Sequence, residues 1–140
     1  KTTMSRVQLA LNVENLDEAI TFYTRMFGVE PAKIKPGYAN YVVADPPLKL
    51  VLLENRGHGG TLNHLGVEVV TSDEVLTESR RLTEAGLLTD EEIDTTCCFA
   101  TQDKVWVSGP SGERWEIYTV KVDSETFGPA DESASTCCAS

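Results

Sequence analysis

The sequence predicts an α+β fold made of two βαβββ modules, and three observations carry that expectation. Candidate elements recur in the same order in both halves of the chain. The helix-opening pairs Asp17-Glu18 and Asp73-Glu74 lie 56 positions apart (73 − 17). The same offset carries Gln8 onto His64. Residue identity between the halves is faint, so order and spacing make the case. At 140 residues the chain suits one domain, and a domain of this size buries roughly two thirds of its unfolded surface.

Arg6 to Val13 alternates and is rich in Val and Leu, which reads as a strand. Asn15-Leu16-Asp17-Glu18 then offers helix-starting chemistry. Leu16, Ala19, Ile20, Tyr23 and Phe27 recur at helical spacing, and Gly28 stops the run. Short strands are expected at Ala32 to Ile34, Tyr38 to Ala44 and Leu48 to Glu54. They are separated by Lys35-Pro36-Gly37 and Asp45-Pro46-Pro47, whose prolines and glycine favour turns. The second module repeats this grammar: a strand from Leu62 to Val70, a helix starting near Ser72-Asp73-Glu74 and a stop at Gly86. Strands are then expected near Thr96 to Ala100, Lys104 to Ser108 and Arg114 to Val120. Residues 1–122 are expected to form the domain, with modules at about 1–55 and 62–122. Residues 123–140, rich in Ser, Glu, Ala, Thr and Gly, read as a flexible Cys-containing tail.

Composition narrows the function. A net charge of −10 repels phosphate backbones, and the twelve Lys and Arg are scattered rather than gathered into a stripe, so nucleic acid is not an expected partner. The opening KTTMSRVQLALNV lacks the features of a signal peptide, and no apolar run reaches the length needed to cross a bilayer. The expectation is a soluble, cytoplasmic protein with no membrane partner. All four cysteines form adjacent pairs, Cys97-Cys98 and Cys137-Cys138. Bonding neighbours closes a strained ring and staples nothing distant, so these read as free thiols available to a soft ligand.

Strand alternation sorts the polar residues. Gln8, Ala10 and Asn12 share one face of the first strand and Val7, Leu9, Leu11 and Val13 the other, which must meet the helix. The same test sets His64, Gly66 and Glu68 apart from Leu65, Val67 and Val69, and Glu116 and Tyr118 apart from Trp115 and Ile117.

Two βαβββ modules in under about 130 residues resemble the vicinal oxygen chelate fold of the glyoxalase and extradiol dioxygenase superfamily. The resemblance implies a cupped mixed sheet with a metal in the hollow. Its ligand points fall on the first strand, on the first strand of the second module, and on the last strand in a segment like PSGERWEIY. Carried over, they are Gln8, His64 and Glu116. An amide oxygen, an imidazole and a carboxylate make a three-ligand facial site that suits Fe(II), although Mn, Co, Ni or Zn can bind the same atoms. Gln8 stands where histidine is commoner, and a neutral amide is a weaker donor. The glyoxalases' fourth ligand falls near Val51, which cannot ligate; this argues against a glyoxalase isomerase and for a site with room for oxygen. Glu54 and Glu68 are weaker metal candidates, and His58, between glycines, reads as an exposed linker residue.

Neighbouring strand residues point to opposite faces, so Cys97 and Cys98 can grip one atom only where the backbone turns. Two thiolates then outbind one because the second bond is intramolecular, a grip suited to trivalent arsenic. Here the resemblance tightens. KPGYANY, ADPPLKLVLLEN, GGTLNHLGVEV, TTCCFATQDKVWV and GERWEIYTV are similar to segments of the carbon-arsenic lyases, and of their relatives the cadmium-induced proteins. What that implies is an Fe(II)-dependent, oxygen-using enzyme. It would cleave the carbon-arsenic bond of trivalent organoarsenicals, methylarsenite and trivalent aromatic arsenicals among them, and release inorganic arsenite. Cys97 and Cys98 would hold the arsenic.

Alternatives stay open. Thiols alone would serve an arsenic or cadmium sequestration protein without turnover, which needs no metal triad. Fosfomycin-type thiol transfer calls for positive charge near the metal, and the acidic balance gives it little support. Cys137 and Cys138 stand as possible accessory thiols. Cups in this superfamily form within one chain or between two, so a homodimer is open.

Overall fold

The structure of the protein, a computed structural model, describes residues 5–97 and 99–123, with the backbone alone at Cys97 and Asp123. The readings placed on Cys98, Cys137, Cys138 and the tail beyond residue 123 lie outside the described residues. The chain divides into two compact units, one of Arg6–Leu65 and one built mainly from Gly66 onward.

The first unit contains β1 (Arg6–Val13), α1 (Leu16–Phe27), β2 (Lys33–Lys35), β3 (Tyr38–Val43), β4 (Leu48–Glu54) and the start of β5 (Leu62–Glu68). Its strands lie in the order β2-β3-β4-β1-β5. β1 and β4 run parallel, with Gln8 beside Lys49 and Ala10 beside Val51, while β3 is antiparallel to both β2 and β4. Asn15 caps α1 by accepting the Glu18 amide at 2.9 Å, and Asp17 and Glu18 in the first turn complement the helix dipole. Gly28 ends the helix at φ 70°, a left-handed conformation where a side chain would be strained, and its N–H reaches the Thr24 carbonyl. The helix lays Leu16, Ala19, Ile20, Tyr23 and Phe27 on a core of Val13, Ala39, Tyr41, Val43, Leu50 and Leu52, joined by Leu9 and Leu11. Tyr41 keeps its hydroxyl satisfied inside this core by donating to the Ile20 carbonyl at 2.9 Å.

The second unit holds the end of β5, α2 (Ser72–Glu84), β6 (Asp90–Cys97), β7 (Ala100–Ser108) and β8 (Arg114–Asp123), with strand order β5-β8-β7-β6. β7 is antiparallel to both β6 and β8. Thr71 and Glu74 form a reciprocal capping box at the start of α2. The helix buries Val75 and Leu82 against Val69, Val105 and Ile117. With parallel and antiparallel pairing and one helix in each unit, the fold is α+β, as the element order predicts. Among the described residues no helix is long and apolar enough to cross a membrane.

Six expected strands move at one end or both; among them β3 stops at Val43, β7 starts at Ala100 rather than Lys104 and β8 runs on to Asp123. β2 covers Lys33–Lys35 rather than Ala32 to Ile34, and β5 stops at Glu68. The larger shift is β6, expected near Thr96 to Ala100 and found at Asp90–Cys97. Asp90, Glu91, Glu92 and Asp94 have low intrinsic strand propensity, but β6 is an edge strand with one pairing partner and Asp90, Glu91 and Asp94 exposed. There, backbone pairing outweighs propensity.

Candidate metal centre

Packing against α1 takes one face of β1, through Leu9, Leu11 and Val13. The alternate residues Gln8, Ala10 and Asn12 are buried on the other face. His64 is buried as well, and its Nε2 lies 3.4 Å from Gln8 Nε2. Two donors held about 2.1 Å from one ion at angles near 100° are themselves about 3.2 Å apart, so this pair has the spacing of neighbouring ligands. Which amide atom faces the imidazole is an assignment; rotating the Gln8 amide presents its oxygen instead.

A chain of amides fixes the imidazole. Asn12 Oδ1 accepts from Asn55 Nδ2 at 3.2 Å and from Asn63 Nδ2 at 3.0 Å, while Asn12 Nδ2 donates to Thr61 Oγ1 at 2.9 Å. Because Asn63 spends its NH₂ on Asn12, its Oδ1 faces His64 Nδ1 at 2.8 Å and can only accept. The proton therefore sits on Nδ1, which leaves the Nε2 lone pair directed toward Gln8, the arrangement a histidine ligand needs. Sequence reasoning missed Asn63. The signal available was only its place beside His64, because the bond to Asn12 joins residues distant in the chain.

Glu116 belongs to the second unit. Val105 and Ile117 face α2, so Lys104, Trp106, Glu116 and Tyr118 lie on the opposite face, with Lys104 paired across to Tyr118 and Trp106 to Glu116. Glu116 is buried, and its Oε1 accepts from Lys104 Nζ at 2.7 Å. The Lys104 side chain is 0 % exposed and that of Glu116 5 %. The ammonium also sits 5.3 Å from the Trp106 ring centroid and 5.8 Å from that of Tyr118, where ring quadrupoles favour a cation. This lysine was not anticipated, since a strand lysine ordinarily reads as solvated.

The other candidates resolve simply. Val51 is buried beside Ala10 and Asn40 and offers no donor atom. Glu54 accepts from the Leu16 amide at 3.1 Å and lies 3.7 Å from Arg56, so it serves the start of α1. His58 is exposed in the turn before β5. Among the described residues no three His, Cys, Asp or Glu side chains gather as a metal cluster. The donor types of the Gln8–His64 pair, an amide oxygen and an imidazole, suit a divalent ion of borderline hardness.

The strand that leads to Cys97 is held from β7. Cys97, the last residue of β6, pairs with Ala100, the first of β7, and Phe99 is buried at φ 64°. A bulky residue in the left-handed region stores strain that only its surroundings can maintain. Upstream, β6 carries an irregularity between Glu92 and Thr95 with Asp94 at φ 57°. Asp103 holds it: Oδ1 accepts the Asp94 amide at 2.7 Å, Oδ2 accepts the Ser72 hydroxyl at 2.5 Å, and Lys121 Nζ lies 3.5 Å away. Burial alone would raise the Asp103 carboxyl, but the bonds from Ser72 and Asp94 and the charge of Lys121 outweigh it and hold the group below its ordinary value. Because the folded-state value is depressed, the stability Asp103 contributes is present above about pH 4, the unfolded range, and is lost as pH falls through the folded value. Asp103→Ala should cost about 2 kcal/mol at neutral pH, from charged hydrogen bonds, and should flatten the acid limb of a denaturant-melt profile. An unchanged acid limb would refute the assignment.

Three comparisons relate the chain to known proteins. Residues 5–117 match the family model described as Glyoxalase/Bleomycin resistance protein/Dioxygenase superfamily. The chain is 70 % identical over 142 residues to the cadmium-induced protein CadI of Mycobacterium tuberculosis, covering 96 % of this chain and 93 % of that one. It is 59 % identical over 136 residues to a trivalent organoarsenical cleaving enzyme of Thermomonospora curvata, covering 96 % and 89 %. Among solved structures, the 2,3-dioxygenase LapB of Pseudomonas sp. KL28 superposes with a TM-score of 0.65 at 20 % identity, over 91 % of this chain and 46 % of that one, a likeness of fold.

Proposed function

Because the chain belongs to the Glyoxalase/Bleomycin resistance protein/Dioxygenase superfamily, we propose that it is an Fe(II)- and oxygen-dependent enzyme of the cytoplasm. Its reaction is cleavage of the carbon-arsenic bond of trivalent organoarsenicals, methylarsenite and trivalent aromatic arsenicals among them, with release of inorganic arsenite. The reaction is assigned to residues 1–122. The observation that carries the reading is the buried Gln8–His64 pair, 3.4 Å apart, with the imidazole lone pair set by Asn63. The name of the Thermomonospora curvata relative supports the substrate class.

Gln8, His64 and Glu116 would hold the metal. Iron, when bound there, supplies open coordination positions and a redox-active centre for oxygen chemistry. The chain's own work lies in binding and orientation. An arsenous group carrying two hydroxyls condenses with the thiols of Cys97 and Cys98: two As–S bonds form, two As–O bonds break, and the thiol protons leave on the departing hydroxides as two waters. The dithiolate fixes the arsenic at two points, so its single carbon substituent has one direction left, and orientation becomes part of catalysis. The buried faces around Gln8 and around Glu116 keep bulk water from competing for the polar groups.

The deciding experiment is anaerobic reconstitution with Fe(II), followed by methylarsenite and air, with arsenic speciation as readout. Inorganic arsenite should form only when iron and oxygen are both present. Full turnover without oxygen would end the oxygenase reading. Thiol sequestration of arsenic or cadmium without turnover is the second reading, favoured by the name of the CadI relative. It predicts bound arsenical and no new species, and it leaves the Gln8–His64 pair without a use. Asn63→Ala should weaken metal binding by about 10- to 100-fold, the usual consequence of removing a ligand's outer partner. A metal titration that matches the parent would show that Asn63 does not set the tautomer.

A further inference from the structure

Lys104 is buried completely, and its partner is the carboxylate proposed as a metal ligand. An ammonium and a divalent ion compete for the same oxygens, and in a poorly screened interior their mutual repulsion is large. A second carboxylate stands in reach. Glu92 on β6 is the cross-strand partner of Lys104, so the two side chains share a face, with Cβ atoms about 5 Å apart in such pairs. Glu92 Oε1 is buried and has no hydrogen-bond partner among the described residues. A buried carboxylate oxygen left without a donor is costly, and one that is retained calls for an explanation in the site around it, such as a bound ion or a functional role.

Resting on the metal reading of Glu116, we infer that Lys104 is an exchangeable counter-ion. In the metal-free chain it neutralises Glu116 and keeps the carboxylate in place. When a divalent ion takes Glu116, the ammonium turns to Glu92. The Trp106 and Tyr118 rings, 5.3 and 5.8 Å from Nζ, give the charge a favourable surface as it passes between the two acids. The Glu116 carboxylate is thus held in place before metal arrives, and Glu92 becomes a positioning residue that touches neither metal nor substrate.

The test uses the full chain and Ni(II) as a redox-silent probe, with affinity by calorimetric titration and thermal melts of the metal-free proteins. Glu92→Gln, which keeps the side chain's shape and removes its charge, should melt no lower than the parent yet bind Ni(II) about tenfold more weakly, the lower end of what an outer-sphere partner contributes. Lys104→Met removes the competitor. It should melt lower than the parent while binding Ni(II) about tenfold more tightly, and Glu116→Gln added to it should restore the melt, because both buried charges are then gone. If Lys104→Met fails to fold, the Glu92→Gln titration decides alone. Parent-like Ni(II) affinity in Glu92→Gln overturns the exchange and leaves the metal reading standing. Absence of Ni(II) binding in the parent sinks the metal reading and the exchange with it.

Discussion

Replacing either Cys97 or Cys98 by serine should abolish the proposed turnover of methylarsenite, with an expected loss of about 10³-fold or more. A serine oxygen is a hard donor with no preference for arsenic over water, so the substitution removes one of two bonds to the substrate and the effective concentration that made the second bond intramolecular. The carbon substituent then loses its fixed direction, which adds a rate penalty to the loss of affinity. Metal content and melting temperature should stay at parent values, because neither residue is a proposed ligand to iron. The measurement is arsenic speciation at saturating iron, with the melt and iron analysis as controls. Either serine variant turning over at the parent rate would show that the arsenic is held elsewhere.

His64→Ala has the second largest expected effect. The imidazole supplies the strongest neutral donor of the proposed set, and it is only 1 % exposed. Its loss leaves an amide and a carboxylate, too few donors to hold iron against water, so iron content and activity should both fall to background. Truncating a buried side chain also costs stability, and here it strands Asn63 Oδ1. A destabilisation of about 2–4 kcal/mol is expected from those two losses. His64→Gln separates the effects. It retains volume and an oxygen donor, so it should fold better than the alanine variant and still bind iron weakly. Parent-like iron content in His64→Ala would remove this residue from the ligand set.

What the sequence made legible follows the range of the interactions involved. The alternation of β1 reads out which residues meet α1, and the duplicated offset sets Gln8 and His64 at corresponding points, 3.4 Å apart in the fold. Helix ends were equally plain, because Asn15, Gly28 and the acidic first turns act within a few residues. β6 was misplaced because its stability comes from pairing with β7, a long-range term that outweighs the poor propensity of an acidic edge. Lys104 was missed for a related reason. Only the register that sets it between Glu92 and Tyr118, with Glu116 one step along, reveals that a lysine can be kept dry there.

The position of β6 has a consequence for how copies of the chain behave together. As the outermost strand of its unit it offers a rail of backbone N–H and C=O groups to any extended chain that approaches. The exposed Asp90, Glu91 and Asp94 line that rail, so a second copy arriving strand to strand meets its own charge. The acidic run that hid the strand from sequence reasoning is thereby a guard against fibre-like stacking, and it is screened, hence weakened, as salt is added.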